Sequence, residues 1–287
     1  MIEVIYGSRD KINRADINKG LPNSLSWINS FNLSDNEINL LGKKLNIPVY
    51  LLKHSLDNNE ITRIEKYKSY DLIILKIPIN KKVKTLGIVK HRNYVLTVCS
   101  ENTGMKLDKE DLSKDSDYLL KEILNNVIKS FSKRIEDLED NVNHLEDITF
   151  NEKISNDPKE IFYLKKELMY IKKGLNADNA IISQLDNIDN IKIELNQLID
   201  TENTLTFRMT EVMNMYMTFI SNRLNEIMKS FTVIASLLLL PMLISGIYGM
   251  NIPIPMQNSN GAFYIILGIM LFLMVLMMLY FKFKKWA

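Results

Sequence analysis

Between Lys229 and Lys282 the chain runs for 52 residues, Ser230 to Phe281, without an Asp, Glu, Lys, Arg or His. No other feature limits its possible folds so sharply. A membrane-spanning helix needs about 20 apolar residues, so this run is too long for one span. It divides at "GMNIPIPMQNSNGA", where Gly, Pro, Asn and Ser cluster as turn formers. The expectation is two spans, the membrane part of the first at about 231–248 and the second at 262–281, joined by a short hairpin. Two buried core helices of a soluble protein are the plainer alternative, but such helices rarely lack a polar face all round. A run placed near the C-terminal end is not a secretory leader.

Charge gives the orientation. Arg223 and Lys229 precede the first span, Lys282, Lys284 and Lys285 follow the second, and the connecting loop has no charge. The excess of Lys and Arg at both ends predicts that both ends are cytoplasmic, in a multi-pass protein of the cell membrane. The part up to Lys229 holds 33 of the 36 basic residues and all 34 acidic ones, a net charge of −1. Such a balance gives no reason to expect nucleic acid as a partner. The single Cys99 excludes an internal disulfide.

The predicted fold class is an α+β membrane protein. Residues 1–104 read as a cytoplasmic α/β domain. "IEVIYG", "SLSWIN", "DLIILKIPI" and "NYVLTVCS" are strand-like, and Ser34 with Glu37 has the spacing of a capping box before a helix. Residues 105–187 read as a helical pair. Leu124, Ile128, Phe131, Ile135, Leu138, Val142 and Leu145 keep a 4-3 apolar spacing, which Ile161, Leu164, Leu168, Ile171 and Leu175 repeat after a start at Asp157-Pro158 with Glu160. The two helices are expected to run antiparallel. Residues 188–248 form a third pattern, from Ile188, Ile191 and Leu195 to Val212, Tyr216 and Phe219. From Asp189 to Tyr248 it contains no proline except Pro241. As one helix it spans roughly 90 Å at 1.5 Å per residue, so the first span is read as the top of a long stalk. Residues 249–261 are then an external loop and 282–287 a basic cytoplasmic tail.

One hairpin has too little wall to enclose a pore, so transport requires several copies. Asn225, Met228, Thr232, Ala235, Leu239, Met242, Gly246 and Gly249 recur at three- and four-residue steps and form one uncharged stripe on the first span. The second span is almost unbroken Ile, Leu, Met, Phe and Val, as suits a lipid-facing helix.

The stretch "NRLNEIMKSFTVIASLLLLPMLISGIYGMN" resembles the pore-helix signature of the CorA-type magnesium transporters, or two-TM-GxN family. The match includes Asn225-Glu226, Met228-Lys229, Pro241 and the closing Tyr248-Gly249-Met250-Asn251. A three-residue motif alone is a weak signal, but this one stands at the outer end of the penultimate span, preceded by Ile-Tyr. "LLGKKLNIPVYLLKHSLDNNEITRIEKYKSYDLIILKIP" resembles a helix-and-strand block of the same family's cytoplasmic domain. The resemblance implies a homopentamer that takes up Mg²⁺, with Co²⁺ or Ni²⁺ tolerated, and neither an enzyme nor a cofactor-dependent protein. It implies a selectivity ring at Gly249, Met250 and Asn251. It also implies a pore lined by Asn225, Met228, Phe231, Thr232, Leu239, Met242 and Gly246, with a hydrophobic constriction at Met228 and Phe231. Gly246 and Gly249 are expected to permit close helix approach, and Gly249 to help the chain turn.

The sequence departs from the family pattern in three places. The external loop "IPIPMQNSNGA" lacks the usual acidic residue, leaving Asn251, Gln257, Asn258, Asn260 and backbone carbonyls to attract cations. Met242 stands where the pore often has a threonine. The acidic pair of the family's regulatory Mg²⁺ site aligns with Lys53-His54, and its partner on the stalk with Asn190, so this regulatory site is expected to be missing. Asp186, Asp189 and Glu194 are the remaining candidates for a regulatory metal on the stalk, against a plainer reading as a solvated face. His54, His91 and His144 lack metal-site spacing. Two rivals stand beside the magnesium reading: a Zn²⁺ or Co²⁺ transporter of the same superfamily, and a cytoplasmic adaptor that the hairpin merely tethers to the bilayer.

Overall fold

The computed structural model describes residues 1–284 except 9–10, 18–19, 21, 23, 109, 113, 151–157 and 257–260. Asp157, Gln257, Asn258, Asn260 and Lys285, all named above, lie outside the described residues. The chain divides into two compact units, Met1–Met213 and Asn214–Ala287.

The first unit is built on a seven-stranded sheet. Its strands are β1 (Ile2–Ser8), β2 (Lys11–Ala15), β3 (Ser26–Phe31), β4 (Arg63–Lys66), β5 (Tyr70–Ile79), β6 (Lys82–His91) and β7 (Tyr94–Cys99), in the spatial order β2-β1-β3-β7-β6-β5-β4. Only β3 and β7 pair in parallel; the other neighbours are antiparallel. The central strands are covered on both faces, which is why β5 and β7 read as nearly continuous apolar runs. Leu72, Ile74, Val89, Leu96 and Val98 face a core shared with helices α1 (Asp35–Leu45) and α2 (Val49–His54), through Ile38, Leu41, Leu51 and Leu52. The alternate residues Ile73, Leu75 and Ile77 are also buried, on the other face, where β5 packs against helices α3 (Ser116–Phe150) and α4 (Pro158–Ile182).

Local chemistry sets the boundaries. Ser34 caps α1 through a capping box, its hydroxyl accepting from the Glu37 amide while the Glu37 carboxylate accepts from the Ser34 amide at 2.8 Å. Asn46 ends the helix in the left-handed conformation, φ 53. Gly87 sits where α2 ends against the sheet, and a Cβ there would meet Ser55 Oγ at 2.1 Å. A side chain at that position would push α2 off the sheet.

The apolar seams behave as their spacing predicts. All seven seam residues from Leu124 to Leu145, and all five from Ile161 to Leu175, are buried. Two contacts set the direction of α4 against α3: a Cβ on Gly174 would fall beside the Phe131 ring, whereas Glu167 binds Arg134, so the helices run antiparallel. Helix α5 (Asp189–Tyr248) is the 60-residue continuous helix expected from the sequence. It runs antiparallel to α4, since Asn179 meets Asn196, Lys172 meets Asn203 and Lys165 meets Met213. Arg208 of α5 grips Glu146 of α3 with two donors, at 3.0 and 2.6 Å.

The sequence reading missed β2, β4, β6 and α2. In β6, Lys82, Lys84 and Lys90 interrupt the apolar pattern. Lys84 and Lys90 are neutralised by Glu101 and Asp117, which are distant in sequence.

Two buried carboxyls are notable. Asp178 of α4 is fully buried; its Oδ1 accepts the Lys76 amide at 2.7 Å and its Oδ2 has no partner among the described residues. Burial drives its carboxyl well above the aspartate range, only partly opposed by the Lys76 amide and ammonium. Glu202 of α5 is likewise raised by burial, although Thr206 donates to it at 2.6 Å.

Candidate ion pathway

The second unit inverts the logic of the first. Its helices, the upper part of α5 and α6 (Ala262–Phe283), both have the length and apolarity of membrane spans. Only 6% of the most apolar window of α5 is buried within the chain, and none of that of α6. Core helices of a soluble protein would be covered; these are not.

The residues assigned to a pore are exposed in the single chain. Asn225, Met228, Phe231, Thr232, Leu239, Met242 and Gly246 all project from α5 without cover. Met242 is 70% exposed and Phe231 67%. The 3-4 repeat of the stripe averages close to 3.5 residues, so on an undistorted helix it drifts slowly and follows the seam of a left-handed supercoil. A Cβ on Gly246 would meet nothing within 4 Å. The Thr232 hydroxyl donates to the Met228 carbonyl one turn earlier, at 2.8 Å, which leaves its oxygen available only as an acceptor. That bond is not legible from stripe spacing.

Pro241 lies inside α5 and cannot donate to the Leu237 carbonyl, which loses its usual helical partner. The helix closes where the Gly249 amide donates to the Ser245 carbonyl at 2.9 Å and the Met250 amide to the Ile247 carbonyl at 3.2 Å. Gly249 is the first residue beyond the helix and lies in the turn, outside the left-handed region. A Cβ there would meet the Ser245 carbonyl oxygen at 3.3 Å. Met256, further along the loop, has a positive φ of 67°. Asn251 follows directly after the helix end, exposed, with no hydrogen bond to a described residue. A neutral amide without a hydrogen-bond partner among the described residues therefore stands at the end of the stripe.

The positions that would carry the regulatory acidic pair make internal contacts to carboxylates, an ion pair at Lys53 and a hydrogen bond at His54. Lys53 Nζ lies 3.0 Å from Asp35, and His54 Nδ1 lies 2.8 Å from Glu60. The Glu60 carboxyl is held below its ordinary range, the cost of burial being outweighed by Arg63 and His54. Asp186, Asp189, Asn190 and Glu194 lie near the start of α5, all four exposed. Asp189 and Glu194, five residues apart, point about 140° apart around the helix. Among the described residues no group of three or more His, Cys, Asp or Glu gathers into a metal site within one chain.

The profile of the CorA-like Mg²⁺ transporter protein family matches residues 22–285. The chain belongs to that family. Among CorA relatives, the cobalt/magnesium transport protein CorA of Methanocaldococcus jannaschii is 28% identical over 289 residues, covering 91% of each chain. The protein of the same name from Thermotoga maritima is 24% identical, covering 91% of this chain and 83% of its own. The complete structure of the M. jannaschii CorA magnesium transporter superposes with a TM-score of 0.81 at 26% identity, covering 100% of this chain and 99% of that one. The α/β unit followed by a long helix and a second apolar helix is thus a CorA architecture. These relatives are named as transporters, not as enzymes, and membership makes this chain a divalent-cation transporter of the membrane.

Proposed function

We propose that the chain assembles as a homopentameric channel for hydrated Mg²⁺, with Asn251 forming the selectivity ring. The observation that carries this reading is the exposed amide of Asn251, without hydrogen-bond partners among the described residues, at the end of an uncharged stripe on α5. Mg²⁺ gives up its water reluctantly, so a ring of amide oxygens suits it by accepting hydrogen bonds from the ion's first-shell water. Neutral acceptors also release the ion more readily than carboxylates would. Met250 and Gly249 set the backbone of the ring, and Gly246 leaves room for neighbouring helices.

Below the ring, Thr232 and Asn225 supply the polar atoms of the lining. Met228 and Phe231 form a neck that closes by dewetting. Both ends of the chain are cytoplasmic, with the membrane part of α5 at about 231–248 and residues 249–261 outside. Entry into an inside-negative cell releases roughly 4.6 kcal/mol per 100 mV for a divalent ion, so no other energy source is required. Co²⁺ and Ni²⁺ are accepted at the same ring. Internal Mg²⁺ feeds back weakly, because Lys53, His54 and Asn190 stand where the family resemblance implies carboxylates. Any stalk site at Asp186, Asp189 or Glu194 is shared between copies.

The test is cation flux into proteoliposomes at an inside-negative potential, with Mg²⁺, Co²⁺, Ni²⁺ and Zn²⁺ compared. The expected outcome is Mg²⁺ uptake that Co²⁺ and Ni²⁺ compete with and that luminal Mg²⁺ scarcely alters. Uptake of Zn²⁺ without Mg²⁺ would favour a zinc transporter of this fold, and absence of any flux would favour a tethered adaptor.

A further inference from the structure

Within the first unit, α4 carries a feature that transport does not use. Lys159, Tyr163, Lys166 and Tyr170 follow one another at steps of four, three and four, and so share one face of the helix. That face lines a cavity of about 930 Å³. Across it, the β5–β6 turn contributes Lys81 and Lys82, both exposed. Val83, Leu145 and Leu164 supply its apolar lining.

The charges are unevenly satisfied. Arg134 Nε holds Glu167 at 2.6 Å, and Lys84 holds Glu101 at 2.7 Å, so these cations are already paired. Lys166 rests 5.9 Å from the centre of the Tyr170 ring, within cation–π range. Glu160 is the one lining carboxylate not bound to a cation among the described residues. The lining is thus positive, with ammonium groups on two opposing walls and two tyrosine rings, Tyr163 being 69% exposed.

We propose that this cavity binds a nucleoside polyphosphate, its base against Tyr163 and Tyr170 and its phosphates between Lys81, Lys82 and Lys166. Each part of the ligand has a counterpart. Aromatic side chains stack on any base, and lysines bind phosphates as mobile point charges. The volume is that of a small-molecule pocket, whereas a lipid surface or an RNA would be met by a broad exposed face. The proposal stands independently of the transport reading.

The experiment is calorimetric titration of the full chain in lipid nanodiscs with ATP, inorganic triphosphate and adenosine. ATP is expected to bind saturably, once per chain. Lys82→Glu combined with Lys166→Glu should weaken it by about tenfold or more, as loss of two opposing charges implies. Lys82→Arg with Lys166→Arg should retain binding, which guards against a folding defect. Tyr163→Ala should weaken ATP while leaving triphosphate within about twofold. Absence of saturable ATP binding, or equal binding by the charge-reversed variant, would overturn the proposal. Capture of RNA or anionic vesicles that ATP does not displace would also overturn it, in favour of an electrostatic surface.

Discussion

Phe131 and Phe231 are the same side chain on helices of the same protein, yet one is fully buried and the other is 67% exposed. The contrast holds across the two units. In Met1–Met213 each apolar seam finds its partner within the chain, on the sheet or on a neighbouring helix. In Asn214–Ala287 most apolar residues find none, and the helices stay exposed along nearly all their length. The first unit encodes its own environment. The second encodes a requirement for one, supplied by lipid and, in the reading proposed above, by further copies of the chain.

The largest effect that would test this contrast comes from truncating both phenylalanines. Phe131→Ala should cost about 3–5 kcal/mol, seen as a lowered unfolding midpoint by thermal melt in detergent. Phe231→Ala should leave that midpoint in place and alter cation flux. Equal destabilisation by both would break the comparison.

Asp178 is the point at which the first unit least resembles a simple apolar core. Asp178→Ala leaves the Lys76 amide without its acceptor and should cost about 1–3 kcal/mol. Asp178→Asn keeps an acceptor and removes the titration. Because the buried carboxyl titrates above its ordinary 3.8, its contribution is complete below that value and is lost as pH rises through the buried group's own value. The asparagine variant should therefore gain stability relative to the parent as pH rises from 4 towards neutrality, in denaturant titrations at several pH values. A parallel pH dependence in the two proteins would show that Asp178 is not the group responsible.

A smaller effect belongs to the cap. Ser34→Ala should cost about 1 kcal/mol by removing one side of the capping box, again as a shift in the denaturation midpoint.

How much of this was legible in the sequence differs between the units. The membrane run needs only its own residues to be recognised, and so do the α3 seam and the Ser34–Glu37 cap. The β6 strand needed information from elsewhere: Lys84 and Lys90 look like solvated charges until Glu101 and Asp117 are placed beside them. Asp178, between Ala177 and Asn179, looks like part of a polar helix face, and only the packing of α4 on β5 shows that it is buried. In the candidate pathway, the exposed stripe could be read from spacing, as could the place of Asn251. The Thr232 back-bond and the carboxylate contacts of Lys53 and His54 could not, because they depend on atoms brought together by folding.

The most direct test of the central claim is Mg²⁺ uptake into proteoliposomes by the parent, Asn251→Ala and Asn251→Asp. The claim that the Asn251 amide selects hydrated Mg²⁺ predicts loss of uptake by about tenfold or more in the alanine variant. It also predicts slowed release, and so reduced flux, in the aspartate variant, with both proteins retaining the parent's thermal midpoint. Undiminished Mg²⁺ uptake by Asn251→Ala would contradict it and move the filter elsewhere along α5.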